Sequence, residues 1–311
     1  MKNKIQMNKK IVKLVAAPLT GFKSDGSINL DIIPKYAAML HHNGISGVFV
    51  NGTTGQGASL TFEERKKLAG QWVDSAPDDM RVIIHVGYID HAKSQALAAH
   101  AAEIGADGIG EIGPPELKSN NIESLVEYTA VTASASPELP YYYYHMPSAN
   151  NLYFSMLEYL SLAEKAIPNL AGIKYTHNNT SEYRQCIEYL NGKYDIFFGR
   201  DEYLIDGLKA GAQGALGSTY NIMARLYHKL IAAYHSDDLE TASRLQSISA
   251  DTCRILYKSG SFGFGLKTIL RKISLDLGDV RLPLQNLSQK EVMYLEADLK
   301  QIGMTSYLNE M

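Results

Sequence analysis

Short apolar runs alternate along the chain with longer segments whose apolar residues recur at helical spacing. This alternation continues without a linker or a shift in composition from residue 12 to about 236. Eight runs have the length and composition of strands: residues 12–17, 47–51, 82–86, 108–112, 139–144, 170–175, 195–198 and 214–217. Amphipathic segments of helical length lie between them, for example residues 62–75, 93–104, 122–135 and 156–166.

Eight strands, each followed by a helix, predict an α/β fold of the (β/α)8 TIM-barrel type. An open, doubly wound sheet is the alternative, because the pattern alone does not show closure. Three further helical segments follow without a strand between them, at residues 239–257, 262–273 and 289–302. We therefore expect a barrel over residues 1–236 that carries the active site, and a C-terminal helical extension over residues 237–311 packed on it.

Barrel enzymes place their active sites at the carboxyl ends of the strands. The sixth predicted strand carries a lysine near that end, and strand alternation puts Gly172, Lys174 and Thr176 on one face. If that face points into the barrel, the amine is shielded from water, which lowers the pKa of a lysine and favours the free amine that a Schiff base needs. The alternative is a lysine whose stem packs while its head reaches solvent.

The fifth predicted strand contains four consecutive tyrosines, and Tyr142 and Tyr144 share a face. Tyr144 comes last, where a phenol is able to relay protons. Such a run is also common in strands that simply pack well. Beside Lys174 on the neighbouring strand, however, Tyr144 completes the pair of a nucleophilic amine and an acid/base that imine chemistry requires.

A glycine-rich turn, Gly52-Thr53-Thr54-Gly55, follows the second strand. Backbone N–H groups and hydroxyls in such a turn are able to hold a carboxylate without a cationic side chain. It is not a phosphate loop, because no Gly-Lys-Ser/Thr follows. A purely structural turn is the alternative interpretation.

Composition excludes several other classes of protein. The chain has 311 residues, a formal net charge of −3 and 20% charged residues, which gives no general attraction to nucleic acid. Its two cysteines predict neither a disulfide framework nor a thiolate metal site, so we expect a reducing cytoplasm. Lysines precede an apolar run at residues 11–19, but Lys13 interrupts it and argues against a signal peptide. No run approaches the ~20 apolar residues of a membrane span.

Two further patterns indicate neither a nucleotide cofactor nor a metal site. Gly108, Gly110 and Gly113 have the spacing of a dinucleotide-binding motif, but they lie in and directly after a predicted strand and run into Pro114 rather than opening a helix. A nucleotide cofactor is therefore not expected. Several histidines (His41, His42, His85, His91 and His100) lack the His-Glu-x-x-His spacing of a metal site.

Three motifs together resemble the pyruvate-dependent class I aldolases and synthases, the family that includes N-acetylneuraminate lyases and dihydrodipicolinate synthases. The turn at residues 52–55 resembles the family's carboxylate-binding turn. The run Tyr144-His145-Met146-Pro147 resembles its tyrosine motif, and Gly172-Ile173-Lys174 its imine-lysine motif. The likeness extends from about residue 12 to beyond Lys267.

Two other loops are similar to the sialic acid lyases in particular, at residues 199–202 and 217–223. The synthases of the family carry an arginine shortly after the tyrosine motif, where this chain has Ser148-Ala149-Asn150-Asn151. The resemblance therefore favours an aldolase for a polyhydroxylated substrate over a synthase.

The resemblance implies a reversible cleavage of N-acetylneuraminate to N-acetylmannosamine and pyruvate, with no metal and no organic cofactor. In this scheme Lys174 forms the imine and Tyr144 relays protons, while Thr53 and Thr54 hold the carboxylate. The implied sugar contacts are Thr176, Gly199, Asp201, Glu202 and Ser218. The adjacent acids Asp201 and Glu202 also suit the start of a helix, which needs no substrate.

The resemblance further implies a cytoplasmic homotetramer. Two departures bear on the site: Gln56 stands where relatives usually have glutamate, and residues 113–117 replace a segment whose tyrosine, in many relatives, reaches the tyrosine of a neighbouring subunit. Two alternative functions stay open. One is an aldolase for another 2-keto-3-deoxy sugar acid; the other is a non-catalytic sugar-acid sensor, which a missing lysine or tyrosine would have indicated.

Overall fold

The computed structural model describes residues 13–114 and 121–311. Its eight strands form a closed parallel barrel in sequence order. They are β1 Lys13–Ala16, β2 Gly47–Val50, β3 Arg81–His85, β4 Gly108–Ile112, β5 Tyr141–His145, β6 Leu170–Tyr175, β7 Asp195–Phe198 and β8 Gly214–Gly217. Because β1 pairs with β8 along its whole length, with Lys13 opposite Gly214, the sheet has no open edge. The predicted TIM barrel is confirmed and the open sheet is wrong.

Strands β4, β6, β7 and β8 have the predicted bounds, whereas β5 is shifted towards its carboxyl end. The predicted start at residue 139 is wrong because the Leu139 N–H closes a turn onto the Ser136 carbonyl, 3.1 Å away. The next residue, Pro140, has no N–H to give to a ladder. At the other end His145 pairs with Tyr175 of β6, which extends the strand by one residue. Residue 12 of the first predicted strand lies outside the described residues.

Helices cover the outside of the barrel. They are α1 Ile33–His42, α2 Phe62–Ser75, α3 His91–Glu103, α4 Ile122–Ser134, α5 Pro147–Asn150, α6 Met156–Ala166, α7 Thr180–Glu188, α8 Leu204–Ala210 and α9 Tyr220–His235. Local chemistry explains their starts: α2 begins at a capping box in which Thr61 and Glu64 bond reciprocally. In the part of the chain that the structure describes, no helix is both long and apolar enough to cross a membrane.

Strand alternation divides the buried residues between two layers. The outward side chains pack with the helices in one large core. A small cluster fills the barrel interior, namely Val15, Ala17, Phe49, Ile83, Tyr142, Tyr144 and Leu216. The interior is therefore a packed core with a site at its mouth, not a pore.

The C-terminal extension consists of α10 Leu239–Lys258, α11 Phe262–Lys272 and α12 Gln289–Gln301. Helix α10 reaches the short 3-10 turn Asp201–Tyr203 that follows β7. There the Gln246 side-chain amide and the Ser249 hydroxyl both donate to the Asp201 carbonyl, each at 3.1 Å. The extension thus fixes one of the loops at the mouth of the barrel.

Candidate active site

Lys174 and Tyr144 lie side by side on neighbouring strands. They are register partners in the β5–β6 ladder. The Lys174 Nζ lies 3.8 Å from the centroid of the Tyr144 ring and 5.0 Å from that of Phe49. Only 7% of Lys174 is exposed. The lysine therefore faces the barrel interior, as the alternation predicted, and its amine lies against aromatic faces instead of reaching bulk solvent.

Two interior tyrosines of β5 are oriented towards opposite ends of the barrel. The Tyr144 hydroxyl donates to Met146 Sδ at 3.0 Å, at the carboxyl end of the strand. The Tyr142 hydroxyl donates to an oxygen of Asp195, the first residue of β7, at 3.2 Å. Of these two phenols, only Tyr144 is near the lysine amine.

The turn after β2 meets the turn after β8. The hydroxyls of Thr54 and Ser218 are 2.6 Å apart and share a hydrogen bond, and Thr53 beside them is exposed. The turn is tight, since a Cβ at Gly57 would overlap the Asn51 carbonyl oxygen. Hydroxyls from two strand ends therefore converge where a carboxylate is expected.

Gln56, which we predicted to replace a glutamate of the family, does not line this site. It adopts a left-handed conformation with φ of 55°. Its side-chain amide faces the Arg281 carbonyl at 3.4 Å, a long hydrogen bond. Gln56 therefore contacts the segment that carries Arg281 and not the cavity.

Asp201 is a buried carboxylate at the edge of the site. One of its oxygens, Oδ2, accepts hydrogen bonds from the Thr219 N–H at 2.8 Å and the Thr219 hydroxyl at 2.7 Å. Burial raises the pKa of Asp201 to about 6, and the bonds from Thr219 oppose that rise. A Cβ at Gly217 would overlap the other oxygen, Oδ1, so the residue at this strand end must be glycine.

Glu202 is paired with Arg200, a residue that was not predicted to belong to the site. The Arg200 guanidinium donates twice to one oxygen of Glu202, at 2.7 and 3.0 Å, and lies over the Tyr203 ring. The two paired side chains are 23% and 24% exposed. Both bonds end on Oε1 of Glu202, so the arginine does not engage the other carboxylate oxygen.

Thr176 and Gly199 meet at the ends of β6 and β7. The Thr176 hydroxyl is buried and has no hydrogen-bond partner among the described residues. A Cβ at Gly199 would overlap that hydroxyl. The Thr176 hydroxyl is therefore an unsatisfied donor and acceptor. Burying it without a hydrogen bond costs free energy, which a bound ligand that forms this bond would offset.

These side chains line one cavity of about 310 Å³ at the carboxyl ends of the strands. All nine residues singled out from the sequence contribute to it: Thr53, Thr54, Tyr144, Lys174, Thr176, Gly199, Asp201, Glu202 and Ser218. Their individual roles stay predictions. Residues 115–120 lie outside the described residues. They include most of the segment 113–117, which was predicted to differ from the family's tyrosine-bearing segment after β4.

The wall of the cavity also includes residues that were not predicted to be site residues. Cys253, Tyr257 and Phe262 come from the C-terminal extension, and Met146 and Arg200 from the barrel loops. A larger cavity of about 780 Å³ opens at the opposite end, among Lys13, Arg81 and Asp195. It lies at the amino ends of the strands, where barrel enzymes do not place their chemistry.

A closed (β/α)8 barrel that holds a buried lysine amine against a phenol, in a cavity at the carboxyl ends of its strands, has the architecture of a barrel enzyme. The model of the dihydrodipicolinate synthetase family matches residues 10–302. The chain belongs to that family.

Several relatives are similar over nearly their whole length. The N-acetylneuraminate lyase of Mus musculus is 37% identical over 305 residues, which cover 96% of this chain and 94% of the mouse protein. The solved structure of Proteus mirabilis N-acetylneuraminate lyase has 35% identity and a TM-score of 0.90, covering 94% of this chain and 99% of that one. The corresponding lyase from Aliivibrio salmonicida has 33% identity and a TM-score of 0.90, covering 94% and 97%.

Proposed function

We propose that this chain is a class I aldolase that reversibly cleaves N-acetylneuraminate into N-acetylmannosamine and pyruvate through an imine on Lys174. The observation that carries the proposal is the contact of the Lys174 amine with Tyr144 in a cavity that also holds the Thr53 and Thr54 hydroxyls. The relatives named N-acetylneuraminate lyase support the choice of substrate. A cavity of about 310 Å³ is at the lower end of the range for sites that bind small molecules.

The chemistry starts from the carboxylate end of the substrate. Thr53 and Thr54 hold the carboxylate of the open-chain sugar acid, which places the C2 ketone at the Lys174 amine. The amine adds to C2, and loss of water gives a protonated imine. This cation next to C3 is an electron sink.

Cleavage uses that sink. When the C4 hydroxyl loses its proton, the C3–C4 bond breaks and its electrons flow to the imine nitrogen, which leaves an enamine on Lys174 and releases N-acetylmannosamine. Protonation of the enamine at C3 and hydrolysis of the imine then release pyruvate and restore the amine. We assign the proton relay to Tyr144, whose ring lies 3.8 Å from the lysine amine.

The hydroxyls of the sugar chain extend away from the carboxylate, towards the ends of β6, β7 and β8. Thr176 offers its unpaired hydroxyl, and Asp201 and Glu202 offer acceptors. The backbone at Gly199 and the hydroxyl of Ser218 complete the proposed sugar contacts. A site built on such hydrogen bonds rejects substrates that lack the matching hydroxyl.

Trapping with borohydride tests the imine. Incubation with pyruvate and borohydride is expected to inactivate the protein and to label the peptide that contains Lys174. Lys267 is the informative competitor, because it is a fully buried lysine whose pKa burial lowers to about 7, and it lies outside the cavity. A label on Lys267, or no label, would contradict the imine on Lys174.

Substrate range is tested by pyruvate release, coupled to lactate dehydrogenase, over a panel of sialic acids and other 2-keto-3-deoxy sugar acids. We expect the highest kcat/KM for N-acetylneuraminate. A higher value for another sugar acid would retain the imine mechanism and replace the substrate. Binding without any release of pyruvate would identify a sensor.

We further propose a cytoplasmic homotetramer. The two cysteines, Cys186 and Cys253, are free and buried, which suits a reducing compartment. Ile89, in the loop after β3, is 61% exposed, and a partner subunit would cover such a side chain. Light scattering at micromolar concentration is expected to give four times the chain mass of 34.3 kDa, and a stable monomer would contradict the proposal.

A further inference from the structure

A second group of chemically capable side chains lies on the outer face of β5 and β6. His145 directly follows Tyr144, so strand alternation places it on the face opposite the cavity. His177 lies in the loop after β6, and Glu182 in the first turn of α7. One ligand atom from each residue lies within 4.8 Å of the other two. None of the three lines the active-site cavity.

His145 is the least explained member of this group. It is 1% exposed, and neither of its ring nitrogens has a hydrogen-bond partner in the described structure. Its ring contacts those of Tyr175 and His177, with centroids 5.1 and 5.6 Å away. Buried polar groups are normally satisfied, so an imidazole with two free nitrogens indicates a missing partner.

Glu182 is held in place by groups that leave it able to accept another bond. One carboxylate oxygen accepts from the Ser155 hydroxyl at 2.8 Å and the Met156 N–H at 2.9 Å. The other accepts from the Tyr175 hydroxyl at 2.9 Å. Carboxylates that bind metals are typically oriented by such outer hydrogen bonds.

We propose that His145, His177 and Glu182 form a binding site for a divalent transition-metal ion of the Zn²⁺ class, separate from the aldolase site. Two imidazole nitrogens and one carboxylate oxygen are a ligand set that zinc uses, with water at the fourth position. Hard ions such as Mg²⁺ prefer oxygen ligands throughout and fit this set poorly.

The distances require only a small closure of the site. Tetrahedral zinc with bonds of about 2.1 Å needs ligand atoms roughly 3.4 Å apart. The ligand atoms all lie within 4.8 Å of one another, so the widest pair has to close by no more than roughly 1.4 Å. His177, in a loop and only partly buried, is the member free to move. The bound ion would connect the ends of β5 and β6 to the start of α7.

Metal titration of the full chain tests the site. The protein is first freed of metal with a chelator, and ZnCl₂ is then added against a chromophoric competitor, without any substrate. We expect one Zn²⁺ per chain with a micromolar or tighter Kd. Co²⁺ in place of Zn²⁺ is expected to give the visible absorption of a four- or five-coordinate ion, and saturating Zn²⁺ should raise the unfolding temperature.

Variants assign the ligands. His177→Gln, a substitution at a partly buried loop residue, is expected to weaken Zn²⁺ binding by roughly tenfold or more. Glu182→Gln is expected to act in the same direction. His41→Gln is the matched control, because His41 is an exposed histidine that pairs with Asp79 at 2.8 Å on a different surface, and its Kd should equal that of the parent.

The proposal is overturned if no saturable binding of one ion per chain is seen, or if His177→Gln and Glu182→Gln both bind as tightly as the parent. Circular dichroism of each variant shows whether it is folded. Because binding is measured without substrate, the result does not depend on the proposed aldolase activity.

Discussion

The Asp201 carboxylate receives both the backbone N–H and the hydroxyl of Thr219, at 2.8 and 2.7 Å. One carboxylate oxygen therefore connects the loop after β7 to the turn after β8. Because these bonds join the loop after β7 to the turn after β8, the Asp201 carboxylate does more than stabilise the start of the helix that follows it. Since Asp201 also lines the cavity, it is both a structural clamp and a candidate acceptor for a sugar hydroxyl.

The first prediction separates these roles with Asp201→Ala. We expect kcat/KM for N-acetylneuraminate to fall roughly tenfold or more, the scale of one lost hydrogen bond to a charged group. Trapping of pyruvate at Lys174 should survive, because pyruvate is too short to reach the loop after β7. Steady-state kinetics and borohydride labelling measure the two effects.

Thr219→Val is the control for the clamp, since it removes the hydroxyl donor while leaving the carboxylate and the Thr219 N–H in place. A smaller loss of kcat/KM than in Asp201→Ala supports a direct sugar contact. Equal losses in the two variants, or loss of trapping in both, would assign Asp201 a structural role instead.

The pH profile provides the second prediction. Burial raises the pKa of Asp201 to about 6, so the carboxylate becomes protonated, and loses an acceptor, as the pH falls through that value. We expect kcat/KM for N-acetylneuraminate to decline below about pH 6. Asp201→Asn should lower the plateau and remove this acidic limb. If the limb persists unchanged in Asp201→Asn, another group causes it.

The sequence predicted the architecture well because the barrel follows from local periodicity. Four strands, β4, β6, β7 and β8, have the predicted bounds. Closure could not be deduced in this way, since the pairing of Lys13 with Gly214 joins the two ends of the barrel sequence. The shift of β5 depends on a turn at Ser136 and on the pairing of His145, and neither leaves a signal in the hydrophobic pattern.

The candidate site was predictable where strand position determines it. Lys174 and Tyr144 follow from alternation, and the loop residues from their positions after strands. Tyr257 and Phe262 could not be found in this way, because helical periodicity does not reveal which strand ends a later helix meets. Hydrophobic periodicity likewise does not reveal the group of His145, His177 and Glu182, because His145 reaches the segment after β6 only through the pairing of β5 with β6.

The third prediction concerns the proton relay and uses two tyrosines of one strand. Tyr144→Phe keeps the ring against the lysine amine but removes the hydroxyl. We expect kcat to fall by roughly a hundredfold or more, the usual range for loss of a general acid or base. Tyr142→Phe is the matched control, because the Tyr142 hydroxyl donates a hydrogen bond to Asp195 at the other end of the barrel. A similar loss in both variants would indicate damage to the interior packing instead of a lost relay.

The last prediction concerns stability and turns on Glu111, a fully buried carboxyl group on the outward face of β4. The hydroxyls of Tyr141 and Thr132 donate to it at 2.9 and 3.2 Å. Burial nevertheless raises the pKa of Glu111 to about 8 in the folded protein, from 4.5 as the ordinary value. The folded state therefore holds a proton that the unfolded chain has already released over most of this interval.

The sign follows from proton linkage. The stability that this group contributes is fully present below about pH 4.5 and is lost as the pH rises from that value through about 8. In this interval the unfolded state binds fewer protons than the folded state. Glu111→Gln is neutral at every pH and should lack this loss. The free energy of unfolding of the parent minus that of Glu111→Gln should therefore fall by about a few kcal/mol between pH 5 and pH 9. Urea unfolding of both proteins at fixed ionic strength measures the difference and cancels the titration of groups common to both. A difference that stays constant from pH 5 to pH 9 would contradict the prediction, because it would mean that Glu111 is already ionised in the folded protein at pH 5.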